Sequence, residues 1–288
     1  MVAPYQSARR ILARLYRRQS PARRRLGRHF AANGEPVVLT DCYGIRFVLH
    51  AWEVEEVDEL LTKSLYKPDF RAIEKLLGPG DTAVDVGANV GTHSIMMARR
   101  VGAAGRVIAF EPTPATAWLM RENLSLNRIE NVDLVEAAVS DTPGSVVMNL
   151  FDQRYSAWNS RGAPVMDGIA PVETIGVRSE TLDTAMRARG IERINFLKID
   201  VEGFELEALN GATGLLSDGA IDCLSFEISQ IPLEATGHEA SAVFEVLASF
   251  GYRSYKLDET SGRFVGPFDK SDDFYTNFYA SRQDPLAE

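Results

Sequence analysis

The residues of this chain that could do chemistry fall at the ends of short apolar runs. Thr82-Ala83-Val84-Asp85-Val86 leads into Gly87-Ala88-Asn89-Val90-Gly91, and Arg106 to Phe110 leads into Glu111. Ile194 to Ile199 leads into Asp200-Val201-Glu202, and Ile221 to Phe226 ends in Glu227. A carboxylate at such an end can accept from a ligand ammonium, bind ribose hydroxyls, or take a proton from a reacting group. Gly87 and Gly91 remove side chains where a backbone must approach a ligand or turn sharply. The free N–H groups of a helix starting near Thr92 favour an anionic group, here a carboxylate rather than a pyrophosphate. A dinucleotide fingerprint wants G-x-G-x-x-G, and Asn89 and Thr92 fill its second and third glycine positions. Glu111 lies 24 positions after Gly87, about where a ribose-binding acid is expected. Lys198 and Asp200, two residues apart on one strand, share a face and should pair.

The elements that must position these groups read as an alternation of strand and helix. Strands are expected at Thr82 to Val86, Arg106 to Phe110, Val132 to Ala138, Ile194 to Ile199 and Ile221 to Glu227. Helices are expected at Thr92 to Val101, Ala115 to Asn127, Leu182 to Arg189, Phe204 to Leu216 and Glu239 to Phe250. That rhythm means βαβ units and a parallel sheet. Tyr252 to Leu257 and Phe274 to Ala280 read as late strands forming an antiparallel edge. Ser145 to Phe151 and Val172 to Arg178 read as a β-pair flanking a polar loop. Ahead of all this, Val37 to Thr40 and Ile45 to Leu49 read as a hairpin, Glu53 to Leu65 and Phe70 to Leu77 as helices. The resulting division is a basic extension over 1–34, a cap over 35–80 and a main domain over 81–288.

Taken together these residues resemble the class I methyltransferase pattern, and more narrowly the FkbM family. The likeness rests on Asp85-Val86-Gly87-Ala88-Asn89-Val90-Gly91 and on Phe196-Leu197-Lys198-Ile199-Asp200-Val201-Glu202-Gly203-Phe204-Glu205. Phe110-Glu111-Pro112, Ala138-Val139-Ser140-Asp141 and Ser179-Glu180-Thr181-Leu182-Asp183 support it, and it spans about Asp81 to Phe250. The resemblance implies a Rossmann-like α/β fold, mostly parallel, with helices on both faces, an antiparallel C-terminal edge and an N-terminal cap. It implies S-adenosyl-L-methionine as cofactor and O-methylation of a hydroxyl on a small molecule, natural product or glycan. By the same resemblance Asp85, Gly87, Asn89 and Gly91 hold the cofactor's amino-acid end, and Glu111 the ribose. The segment Ala137 to Asp141, with Ala138 and Asp141, borders the adenine.

Methyl transfer from a sulfonium needs alignment and exclusion of water more than covalent help, and proximity is worth roughly 7–11 kcal/mol. A hydroxyl acceptor also gains from a general base. Asp200 is the first choice for the group beside the methyl, Glu202 the second, with Lys198 as partner. Glu227 at the next strand end suits a substrate contact. His93 could touch cofactor or acceptor, and the loop residues Tyr155, Trp158 and Asn159 could carry specificity by stacking and hydrogen bonding. Glu207 is expected on a solvated face. No histidine stands at metal-ligand spacing, so no metal is implied.

Composition bounds the partners. The chain has 288 residues and a formal net charge of −9, with 31 basic and 40 acidic residues. Nine arginines lie between Met1 and Arg28 and the first acid is Glu35, so the rest carries 22 basic residues against all 40 acids. So acidic a body argues against a nucleic-acid substrate held by its phosphates. The arginine-rich head, with Ile11, Leu12, Leu15 and Tyr16 at helical spacing, could meet an anionic membrane or an acidic protein. Two cysteines, Cys42 and Cys223, fit a reducing, cytoplasmic setting. A nicotinamide-dependent oxidoreductase and a non-catalytic, membrane- or complex-associated protein on the same fold are the rival expectations. The sequence leaves the oligomeric state open.

Overall fold

A computed structural model of the chain describes residues 36–40, 44–50, 67–151, 159, 161, 170–258, 260–271 and 275–283. The basic head, the helix expected at Glu53 to Leu65, Cys42, Tyr155 and Trp158 lie outside the described residues. The chain divides into two units, Met1–Lys67 and Pro68–Glu288. In the first, β1 (Pro36–Thr40) and β2 (Arg46–His50) pair antiparallel with Val38 opposite Val48, as the hairpin pattern requires.

Helix α1 (Lys67–Leu76), all but its first residue in the second unit, is followed by strand β3 (Thr82–Val86). Helix α2 (Thr92–Val101), β4 (Arg106–Phe110), α3 (Pro114–Asn127), β5 (Val132–Val135) and β6 (Ala138–Val139) follow. Next come β7 (Gly144–Leu150), β8 (Glu173–Glu180), α4 (Leu182–Ala188) and β9 (Ile194–Ile199). The last third holds α5 (Glu205–Asn210), α6 (Thr213–Ser217), β10 (Ile221–Ser229), α7 (Gln230–Thr236) and α8 (Ala240–Ser249). It ends with β11 (Arg253–Leu257), β12 (Phe264–Phe268) and β13 (Tyr275–Ser281).

Eight strands form one sheet in the order β12-β11-β13-β10-β9-β3-β4-β5. From β10 to β5 neighbours run parallel, while β13 pairs antiparallel with both β10 and β11. The Rossmann-like architecture and the antiparallel edge therefore stand as expected, with β12 as an added strand. Both faces of the central strands are buried, as a parallel sheet under helices requires. Val84 and Val86 join Leu182, Leu209, Val243 and Phe244 in one core. On the opposite face Ala83, Val107, Ile95, Met97 and Val101 are buried. Among the described residues, no helix is long and apolar enough to cross a membrane.

Two local expectations give way, and one helix is new. The strand expected over Val132 to Ala138 is two: β5 joins the large sheet, and β6 pairs with β8 in a three-stranded sheet, β6-β8-β7. The break is a tight turn in which Ala137 N–H donates to Val135 carbonyl, 2.9 Å, turning the chain from one sheet to the other. The helix expected over Phe204 to Leu216 also splits. Gly211 passes Ser140 so closely that a Cβ there would stand 2.1 Å from its carbonyl oxygen. Asp183 instead accepts from Gly214 and Leu215 N–H at 2.8 and 2.9 Å, supporting the start of α6. Helix α7, between β10 and α8, has no counterpart in the sequence reading.

Candidate active site

The parallel register sets the site. Asp85 stands beside Lys198 across β3 and β9, and beside Ala109 across β3 and β4. The loops after β9, β3 and β4 therefore emerge side by side. Asp200, the turn Gly87 to Gly91, and Glu111 lie on those three loops. A Cβ on Gly87, at φ +81°, would meet Asp200 carbonyl oxygen at 1.8 Å, so the two loops can touch only with glycine there. Gly91, at φ +90°, starts α2 from a left-handed conformation.

Glu111 binds this turn to its own loop. Its Oε2 accepts from Asn89 N–H at 3.0 Å and its Oε1 from Thr113 N–H at 2.8 Å. Burial raises its carboxyl to about 7 against the lowering effect of those bonds. Asn89 is held at φ +49°, a conformation seldom taken by residues other than glycine. Asp85 is fully buried; its Oδ2 accepts from Ser94 hydroxyl at 2.6 Å, and its Oδ1 lies 3.8 Å from Lys198 Nζ.

Lys198 and Asp200 meet as their spacing requires, Nζ to Oδ2 2.7 Å. Burial opposes the lysine's charge, but Asp200 and Asp85 more than restore it and its proton is held more tightly than usual. Glu202, at φ +53°, and Glu227 crowd the same end, and one carboxylate oxygen each from Asp200, Glu202 and Glu227 lies within 4.8 Å of the others. Burial, then the charge of Asp200, raises Glu202 to about 8 and Glu227 well above the ordinary range. The sequence implied no metal, yet these three acids from two strand ends stand close enough to share a cation.

Glu205 closes the turn after Asp200. Its Oε1 accepts from Val201 N–H at 3.1 Å and Gly203 N–H at 3.4 Å, and burial raises it to about 7. Glu207, expected in solvent, instead faces His238, whose Nε2 lies 3.6 Å away. The structure differs there because the loop before α8 folds over α5, with His238 Nδ1 3.3 Å from Gly203 carbonyl.

The remaining sequence candidates separate. Ala138 is buried in β6, and Asp141 just after it is exposed, held by Thr142 and Ser140 hydroxyls. Asn159 closes its own loop, its Oδ1 accepting from Phe151 N–H at 2.9 Å. Tyr155 and Trp158 are outside the described residues. His93 faces a small cavity lined also by Asp69, Lys198, Asp200, Asn277 and Tyr279. Asp85 and Glu111, expected to border one crevice with Asp200, are not among the residues lining that cavity.

Several residues here escaped the sequence reading. Asp69 in α1 accepts from Tyr279 hydroxyl at 2.9 Å and from Asn277 Nδ2 at 3.3 Å. Tyr275 opens β13, paired with Ser229, two residues beyond Glu227 on β10. Arg161 donates to Ser140 Oγ at 3.1 Å, with its guanidinium 4.4 Å over the Phe204 ring. No motif marks Asp69, Asn277, Tyr279 or Tyr275, which reach this edge because β13 inserts beside β10 and α1 packs near α2. Arg161 belongs to the polar loop between β7 and β8 that the sequence already set apart.

The site can be tested for the cofactor that the sequence resemblance implies. Asp85 Oδ1 and Asn89 Oδ1 are buried acceptors with no hydrogen-bond donor. Lys198, 3.8 Å from the first, balances its charge without a hydrogen bond. An unmade hydrogen bond at a buried acceptor costs about 1–3 kcal/mol, so both suit a ligand bearing N–H or O–H groups. An ammonium and ribose hydroxyls supply them. Those two acceptors fit the group.

Comparison with known proteins gives the following. Residues 85–254, more than half the chain, match the Methyltransferase FkbM domain family. Methyltransferase sdnD of Sordaria araneosa is 30% identical over 153 residues, covering 44% of this chain and 59% of that protein. Hexuronic acid methyltransferase AglP of Haloferax volcanii is 28% identical over 174 residues, 60% of this chain and 66% of that one. The chain thus spans less than two thirds of either relative. A solved S-adenosylmethionine-dependent O-methyltransferase from Thermotoga maritima superposes with TM-score 0.42 and 17% identity, covering 86% of this chain and 77% of that one.

Proposed function

The chain belongs to the FkbM family of S-adenosylmethionine-dependent methyltransferases, and from that premise we propose that it methylates a hydroxyl of a small molecule, natural product or glycan. One observation carries the reading: three adjacent parallel strands deliver Asp85, Glu111 and Asp200 to one edge, where Asp85 Oδ1 and, in the glycine turn, Asn89 Oδ1 are buried acceptors without a hydrogen bond. Bound S-adenosylmethionine supplies an electrophilic methyl group on a sulfonium. Asp85 and Asn89 accept from its amino-acid end, and Glu111 from the ribose. The segment Ala138 to Asp141 borders the adenine. Asp200, oriented by Lys198, aligns the acceptor hydroxyl, and Glu202 and Glu227 line the acceptor side. Holding the partners in line is the greater part of the rate gain.

The acceptor class draws support from the relative named for a hexuronic acid. A glycan or polyol brings hydroxyls to an edge rich in carboxylates, which accept them as donors. The basic head is the segment for contact with a membrane surface or an acidic protein. Family membership displaces the nicotinamide alternative.

Isothermal titration with S-adenosylmethionine and S-adenosylhomocysteine tests the cofactor, and absence of binding by both would end the proposal. Mass spectrometry of extracts offered with the cofactor then seeks a product heavier by one methylene. Asp200→Asn is expected to bind cofactor and to lose that product.

A further inference from the structure

We propose that His238 is a positioning residue for the acceptor, whose ring holds the turn Glu202-Gly203 in the backbone conformation that sets Glu202 beside Asp200 and Glu227. This role rests on the methyltransferase reading and deepens its acceptor side.

The turn needs holding. Glu202 and Gly203 stand at φ +53° and +94°, two left-handed residues in succession just after the end of β9. A residue other than glycine keeps such a conformation only where its surroundings impose it. With the turn so set, one oxygen of Glu202 lies within 4.8 Å of one from Asp200 and one from Glu227. A change of sign in φ at Glu202 redirects its Cβ, so the acid group and the turn stand or fall together.

Both ends of the turn are tied. On the amide side, Val201 and Gly203 N–H donate to Glu205 Oε1. On the carbonyl side, α7 and the loop after it close on Gly203. A Cβ there would stand 2.6 Å from Pro232 carbonyl oxygen. Two donors reach Gly203 carbonyl, Thr236 hydroxyl at 3.2 Å and His238 Nδ1 at 3.3 Å. A hydroxyl has one hydrogen, and Thr236 is closer to Leu233 carbonyl, at 2.9 Å. His238 is then the donor on which Gly203 depends. A carbonyl can only accept, so the ring carries its hydrogen on Nδ1.

The ring is itself fixed. Its Nε2 lies 3.6 Å from Glu207 Oε1 on α5, and its plane stands at 78° to the Phe204 ring, centroids 6.3 Å apart. Glu207 Oε2 is buried with no hydrogen bond, so no second donor draws that carboxylate away. One imidazole thus ties the turn carrying Glu202 to the helix that follows it. Asp85, Asn89 and Glu111, assigned to the cofactor, have other partners. Misplacing a reactant by about 1 Å can cost on the order of 10²-fold in rate, so a loosened turn acts through the acceptor.

Three substitutions, His238→Ala, His238→Asn and His238→Gln, separate positioning from simple packing. The shorter amide can donate from the place of Nδ1, the longer one from the place of Nε2. Each full-length variant is titrated with S-adenosylhomocysteine, and its methyl transfer from labelled S-adenosylmethionine is followed against dilutions of the extract that yields the product. His238→Ala is expected to raise the half-saturating extract concentration about tenfold and to leave the S-adenosylhomocysteine Kd within about twofold. His238→Asn should recover most of that loss and His238→Gln little of it. Hydrogen–deuterium exchange of the peptide from Val201 to Glu205 needs no acceptor. It should be faster in His238→Ala and His238→Gln and near wild type in His238→Asn. Should His238→Ala fail to fold, the contrast between the two amides decides. A wild-type half-saturation in His238→Ala, or equal losses in His238→Asn and His238→Gln, would overturn the positioning role but leave the methyltransferase reading standing. A native protein that binds neither S-adenosylmethionine nor S-adenosylhomocysteine would sink both.

Discussion

Lys198 and Asp200 meet at the end of a single strand, 2.7 Å between Nζ and Oδ2, with Asp85 Oδ1 a further 3.8 Å from the same ammonium. One cation thus balances two acids where β9 and β3 run side by side. A buried pair broken by removing one partner costs far more than the pair contributes, because the orphaned charge stays behind. Lys198→Met should therefore lower stability by about 3 kcal/mol in urea unfolding. Asp200→Asn, at a more exposed position, should lower it much less. Equal effects would mean that Asp85 does not depend on the lysine.

Gly87→Ala is expected to abolish cofactor binding while leaving far-UV circular dichroism intact. Its Cβ would have to displace the backbone of Asp200, and its φ is positive. A loss of about 2 kcal/mol or more in unfolding free energy should accompany this. Cofactor titration and thermal unfolding check both.

Glu111→Gln should weaken cofactor binding and loosen the glycine turn together. A carboxylate accepts from both Asn89 and Thr113 N–H. The amide has one acceptor and would point an N–H₂ at the other donor, a conflict worth about 1–3 kcal/mol. By the usual conversion that is roughly a five- to 150-fold rise in cofactor Kd.

Stability should fall with rising pH in the cofactor-free protein. Glu111 and Glu205 rise from 4.5 to about 7 and Glu202 to about 8, in each case chiefly by burial. Above 4.5 the unfolded chain has released protons that the folded protein still holds, so stability is greatest below that pH and is lost through pH 7 to 8 for these groups. Glu205→Gln should flatten part of this slope in melting temperatures taken from pH 5 to 8. Binding of the cationic cofactor favours the ionised acids, so titrations in buffers of different ionisation enthalpy should show proton release.

What the sequence alone determined is the local chemistry and the central rhythm. Asp85-Val86-Gly87-Ala88-Asn89-Val90-Gly91 announces a strand entering a glycine turn, and Lys198 and Asp200 must share a face because side chains alternate along a strand. Those facts need no distant partner. The rest was decided by contacts between distant segments. Val132 to Ala138 looks continuous, and only the second sheet, built from β7 and β8, draws Ala138 away. Asp69 carries no motif, and joins the site because Tyr279 and Asn277, some two hundred residues later, lie on a strand inserted antiparallel beside β10. Local pattern fixes where a side chain can point; which other side chain it meets depends on strand order and helix packing, which nearest-neighbour residues do not encode.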